Sequence, residues 1–140
     1  MGFFIVEPEV AGELGPRTVF DRAGHTLAVT RLEYQFFGWL GDPIVESTPC
    51  FIVTEELSAA ITAAGLTGAT FDEVEVSVSP EGEEFIEGPL PPWKWLRFTG
   101  EASHDDLGLN DGLRLVVSER ALGVLREHGL SNAEVAEASG

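Results

Sequence analysis

The residues best suited to chemistry gather at 104–111, where His104, Asp105, Asp106, Asn110 and Asp111 lie close together. Carboxylate and amide oxygens crowded into one loop are the donors that a hard cation takes. The spacing misses the EF-hand pattern, because no bidentate Glu follows at the required distance, and Asn-Asp-Gly at 110–112 is a common turn. The segment therefore reads as a structural turn, and no metal ligand is assigned. Cys50 acts as a nucleophile only if the fold brings a base to it, whereas a small apolar residue at a strand start needs no such explanation. His25 follows Gly24 in a turn, and His128 closes a helix, where a partly protonated imidazole suits the dipole. The sequence contains no Gly-x-Ser-x-Gly, His-Glu-x-x-His, Cys-x-x-Cys or phosphate-cradling glycine loop. With 24 Asp and Glu in 140 residues, some pair will always sit at glycosidase spacing, so such pairs carry no information. No catalytic residue and no cofactor is assigned.

Charge is more informative. Eight Lys and Arg against 24 Asp and Glu give a formal charge of −16, which opposes binding to nucleic acid phosphates or to an anionic membrane. A basic protein is the natural converse, although such acidity also serves solubility alone. The acids concentrate at 72–87: Asp72, Glu73 and Glu75 on an expected strand, then Glu81, Glu83, Glu84 and Glu87 on an expected loop. Trp93 follows Pro91 and Pro92 beside that loop, and its place predicts partial exposure as an interface anchor. The other aromatics, Tyr34, Phe36, Phe37, Trp39 and Trp95, are expected in the core.

The scaffold that must position these residues is partly duplicated. Segment 51–67, FIVTEELSAAITAAGLT, returns at 115–131 as LVVSERALGVLREHGLS. Each copy reads as an apolar strand, a hydroxyl N-cap (Thr54, Ser118), an acid in the first helical turn (Glu55, Glu119) and a short amphipathic helix. Leu57, Ala60, Ile61 and Ala64 form the apolar stripe of one helix, and Ala121, Val124 and Leu125 that of the other. Gly65 and Gly129 fit a left-handed helix exit, with Leu66 and Leu130 folding back.

Around the repeats, Phe3–Glu7, 26–37, 44–48, 70–79 and 93–99 have the composition of strands, the longest at 26–37 with Leu32, Tyr34 and Phe36 on one side. In 70–79, Val74, Val76 and Val78 alternate with acids as in a half-buried strand, with a bulge near Asp72. Segments 10–16, 79–88 and 100–112 read as loops. The expectation is one α+β domain over 1–140, a mostly antiparallel sheet with two short helices, built on strand-helix-strand units at about 49–79 and 112–139. One cysteine suits a reducing compartment. The apolar start at 1–6 is too short and lacks the basic residues of a signal peptide, Val6 breaks a myristoylation motif, and no stretch approaches the ~20 apolar residues of a membrane span. A cytoplasmic protein is expected.

PCFIVTEEL at 49–57, AGLTGATF at 64–71, Trp95-Leu96 and LVVSERAL at 115–122 together resemble bacterial immunity-type proteins of polymorphic toxin systems. In those families a val-val-ser-glu strand-to-helix corner and a gly-leu-thr-gly helix exit recur. The chain lacks the paired Cys-x-x-Cys-Gly elements of one related group, so that group's zinc is not carried over. The resemblance implies a small acidic protein that neutralises a toxin, often a nuclease, by masking its basic surface. The residues expected to carry this are Glu81, Glu83, Glu84, Glu87, Asp72, Glu73, Glu75 and Trp93. The alternative is a small ligand-binding domain or enzyme with a pocket between the two repeats, drawing on His104, Asp105, Asp106 and Cys50.

Overall fold

Both repeats begin and end as their sequence signals require. Thr54 Oγ1 accepts the Leu57 N–H at 3.1 Å and Ser118 Oγ accepts that of Ala121 at 3.2 Å, closing two helix N-termini with the same chemistry. At the exits Gly65 and Gly129 have φ of +68° and +98°, the left-handed region that glycine enters without a Cβ clash. Leu66 and Leu130 then donate back to Ile61 and Leu125, the six-to-one bond of a Schellman turn, and both side chains pack on the core.

The computed structural model describes residues 2–23, 26–86 and 88–138, with the backbone alone at 22, 23, 26 and 27. In chain order the elements are β1 (Phe3–Glu7), β2 (Gly12–Leu14), β3 (Val19–Ala23), β4 (Thr26–Arg31), β5 (Glu33–Phe36), β6 (Ile44–Ser47), β7 (Cys50–Thr54), α1 (Glu55–Ala63), β8 (Ala69–Asp72), β9 (Glu75–Val78), α2 (Pro80–Phe85), β10 (Trp93–Phe98), β11 (Leu107–Leu109), β12 (Leu115–Ser118), α3 (Glu119–Glu127) and β13 (Glu134–Glu137). The class is α+β, with short helices on mostly antiparallel sheets.

The duplication extends beyond the repeated segments. One four-stranded sheet has the order β6-β7-β10-β8 and the other β11-β12-β1-β13. Their registers match: Trp93 and Leu96 lie opposite Thr54 and Phe51, as Phe3 and Val6 lie opposite Ser118 and Leu115. In each unit a third, antiparallel strand separates the two strands of the repeat, so neither repeat is a sheet by itself. The first borrows β10, which follows it. The second borrows β1 from the far end of the chain.

The inner faces of both sheets and both long helices share one core, including Val6, Phe51, Val53, Leu57, Leu115 and Leu125. Leu57, Ile61, Ala121 and Leu125 are buried as expected, while Ala60 and Val124 are half-buried and Ala64 is exposed. Helix α1 ends at Ala63, so Ala64 is its C-cap and has left the stripe.

The other face of the β6-β7-β10-β8 sheet is covered by a second core of Val45, Ile52 and Trp95 against Leu32, Tyr34 and Phe36. The strands above it form a three-stranded sheet, β2-β5-β9, in which β5 and β9 run parallel. Several expected boundaries fail here. Segment 26–37 is two strands in separate sheets, because Glu33 is buried as well as its apolar neighbours: its carboxylate accepts the Arg17 N–H at 2.8 Å and the Ser77 hydroxyl at 2.7 Å. Both faces of β5 are therefore occupied, whereas Ala28, Thr30 and Arg31 of β4 are exposed. Segment 70–79 also divides. Asp72 Oδ1 accepts the Glu73 N–H at 2.8 Å, turning the chain out of β8 so that β9 can join β5. Val74 and Val78 pack on the second core, but Val76 is 38 % exposed. Segments 10–16 and 100–112, expected as loops, contain β2 and β11, and 79–88 contains the helix α2. Among the described residues no helix is long and apolar enough to cross a membrane.

Candidate functional site

Helix α2 carries the densest group of acids and is assembled from ordinary capping chemistry. Ser79 Oγ accepts the Gly82 N–H at 3.0 Å, Pro80 occupies the first turn, and Glu81 and Glu83 lie where the dipole favours anions. Ser79-Pro80-Glu81 is a helix-start signal in the sequence; Gly82 concealed it. That glycine is required by close approach, since a Cβ there would stand 2.6 Å from the Phe36 carbonyl oxygen and 3.0 Å from Phe37 Cα. The helix is thus seated directly on the end of β5, with Glu81, Glu83 and Glu84 exposed. Glu87 lies outside the described residues, as does His25.

The acids of the neighbouring strands differ in kind. Asp72 pairs with Arg97 at 3.3 Å, Glu73 with Lys94 at 2.8 Å, and Glu75 with Arg17 at 3.4 Å and also with Arg31. The Glu73 N–H, then Arg97, holds the Asp72 carboxyl below its ordinary value, and Arg31 does the same for Glu75. Four cations of this cation-poor chain are engaged by three acids. Glu81, Glu83 and Glu84 form no ion pair among the described residues.

Trp93 is not an exposed anchor. It is 5 % exposed, tilted by 43° against the Phe36 ring with centroids 5.3 Å apart, and edge-on to Trp39 at 5.5 Å. Its place on β10, opposite Thr54, turns the indole into the second core, because side chains alternate between the two covered faces of that strand. The apolar residue that does reach solvent beside the acids is Phe85, 70 % exposed. Phe37, expected in the core, is 40 % exposed for the same reason of alternation: Leu32, Tyr34 and Phe36 take the inward positions, leaving the next residue outward.

Of the residues of the expected pocket, Asp105 and Asp106 are already bonded, His104 is exposed, and Cys50 lies apart from them in the second core. Asp106 accepts from Thr67 N–H at 2.9 Å, from the Ser118 hydroxyl at 2.6 Å and from Arg120 Nε and Nη2 at 2.9 and 2.7 Å. The Arg120 guanidinium, foremost, keeps its carboxyl well below the usual aspartate range. Arg120 also donates to the Ala64 and Gly65 carbonyls at the end of α1. Asp105 accepts the Glu101 N–H at 2.9 Å, and Asn110 Oδ1 accepts from Gly112 and Arg114, the expected turn. His104 is exposed at the rim of a hollow of about 490 Å³ that Phe3, Asp106, Ser118 and Arg120 also line. Cys50 lies in the second core, where burial pushes its thiol up to about 11, so it is a poor thiolate. Among the described residues no three His, Cys, Asp or Glu side chains stand close enough together to hold a metal ion.

No protein-family model matches the chain, and no curated protein matches its sequence.

Proposed function

We propose that the chain is a binding protein that neutralises a toxin by masking a basic surface, and that α2 presents the contact. The observation that carries this reading is the contrast between the acids. Those of β8, β9 and the turn between them are compensated within the chain, whereas Glu81, Glu83 and Glu84 are exposed without an ion pair among the described residues. Two of these acids suit the dipole of the helix, and all three, exposed as like charges, are suited to steering and ordering a cationic partner. The formal charge of −16 extends the same field over the molecule. A nuclease, whose active cleft must hold phosphates, is the toxin class this field fits best, in keeping with the immunity-type resemblance of the repeats.

The test is capture of partners by the tagged chain from its own host, repeated with Glu81, Glu83 and Glu84 all reversed to Lys. A basic partner retained by the parent chain and lost by the reversal, with the melting temperature little changed, supports the reading. A partner that is itself strongly acidic, or one bound equally by the reversed chain, removes it.

A further inference from the structure

Eight large apolar side chains are exposed among the described residues, and four of them belong to three neighbouring segments: Val10 at 55 %, Phe37 at 40 %, Leu40 at 69 % and Phe85 at 70 %. Backbone bonds tie these segments together. Phe37 and Gly38 donate to the Ala11 carbonyl at 2.9 and 3.3 Å, and the Leu40 N–H reaches the Glu9 carboxylate at 3.1 Å. Helix α2 is seated against Phe36 and Phe37 through Gly82, and Phe85, three residues on, is exposed. Segments 9–11, 37–40 and 80–85 are thus neighbours, and together they expose Val10, Phe37, Leu40 and Phe85 along with Glu81, Glu83 and Glu84.

Resting on the reading of α2 as a contact for a basic protein, we infer that this surface is a mixed docking site whose partner presents an apolar protrusion flanked by Lys or Arg. Charge complementarity selects that occupant. A second copy would set three uncompensated glutamates against the same three, and an anionic membrane or a nucleic acid is repelled by them. The two kinds of group divide the work. The glutamates raise the association rate, and the desolvated apolar side chains slow dissociation.

The experiment uses the whole chain and two synthetic helical peptides, one with leucines on one face flanked by lysines and one with serine replacing every leucine. Backbone resonances are followed during titration, alongside sedimentation of the chain alone. The leucine–lysine peptide is expected to shift residues 9–11, 37–40 and 80–85 and to bind about tenfold more tightly than the serine–lysine peptide. Phe85→Ser or Leu40→Ser, both solvent-exposed positions, is expected to remove about that tenfold difference while leaving the spectrum otherwise unchanged. Equal binding of the two peptides, abolished by reversing Glu83 and Glu84 to Lys, would overturn the mixed site and leave the charge-masking reading standing. Shifts centred on β3, where Val19 and Phe20 are also exposed, would overturn it by misplacing the surface. A dimer dissolved by Phe85→Ser would overturn it by giving the patch to a second copy. Failure of both peptides to bind a monomeric chain would remove the inference and the reading on which it rests.

Discussion

The carboxylate of Asp106 accepts the backbone N–H of Thr67 at 2.9 Å, tying the strand that edges one repeat to the helix exit of the other. The reverse contact also exists. Asp42, just ahead of β6, accepts the N–H of Ser131, the residue that matches Thr67 in the second repeat, at 3.1 Å. The supporting bonds match as well: Thr54 N–H to the Pro43 carbonyl and Ser118 N–H to the Asp106 carbonyl, both at 2.9 Å. Two reciprocal clasps therefore join the halves, each made by a carboxylate that is almost wholly buried.

Asp42 is 1 % exposed and also accepts from Asn132 N–H and Asn132 Nδ2, both at 2.8 Å. Asp42→Ala removes the acceptor of three donors, the Ser131 and Asn132 N–H groups and Asn132 Nδ2, and is expected to cost about 1–3 kcal/mol. Because the halves share one core, the loss should appear as a single urea transition moved to lower concentration with an unchanged slope. Separate transitions, or a loss below about 0.5 kcal/mol, would contradict the clasp.

The pH dependence of stability should have two limbs of opposite sign. Asp106 binds its proton more weakly folded than unfolded, so its contribution is complete above about pH 4 and is lost as pH falls below that value. Glu46 and Glu9 behave in the opposite way. Burial raises both carboxyls, with Glu7 adding to the effect at Glu46 and Asp42 at Glu9, so the folded chain takes up these protons first as pH falls from neutrality. Thermal melts are expected to rise on mild acidification and then fall below about pH 4. Asp106→Asn should flatten the acid limb, and Glu46→Gln should remove part of the rise; a monotonic profile that neither variant alters would refute the assignment.

The two N-caps are alike in geometry and unlike in cost. Thr54→Ala is expected to lose about 1 kcal/mol. Ser118→Ala should lose about 2 kcal/mol, since Ser118 Oγ also donates to Asp106 Oδ1 at 2.6 Å and its removal leaves a buried carboxylate under-bonded. Equal losses from denaturant titrations would show that the Ser118 to Asp106 bond contributes nothing.

Gly82→Ala inserts a Cβ against the end of β5 and is expected to destabilise the chain by about 1–3 kcal/mol, dislodging α2. Amide hydrogen exchange should speed at residues 80–86 while the shared core of both repeats keeps its protection. Unchanged exchange in α2 would mean that the helix does not depend on this contact.

The amino-acid sequence alone determined what depends on neighbours a few positions apart. The caps at Thr54 and Ser118, the glycine exits, the apolar stripes of α1 and α3 and the inward set Leu32, Tyr34 and Phe36 follow from side-chain chemistry and the periods of helix and strand, and so does the internal duplication. Tertiary structure decided what depends on partners distant in the chain. That β1 completes the second repeat as β10 completes the first is a choice of strand pairing, which leaves no local trace. One strand stops at Arg31 and the next starts at Glu33, around which Arg17 and Ser77 arrive. Trp93 faces inward because a sheet built from 12–14, 33–36 and 75–78 covers that side of β10. The acids at 72–84 look uniform in sequence and become two groups only when Arg17, Arg31, Lys94 and Arg97 fold against the first, since an ion pair is set by distance in space and not by position along the chain.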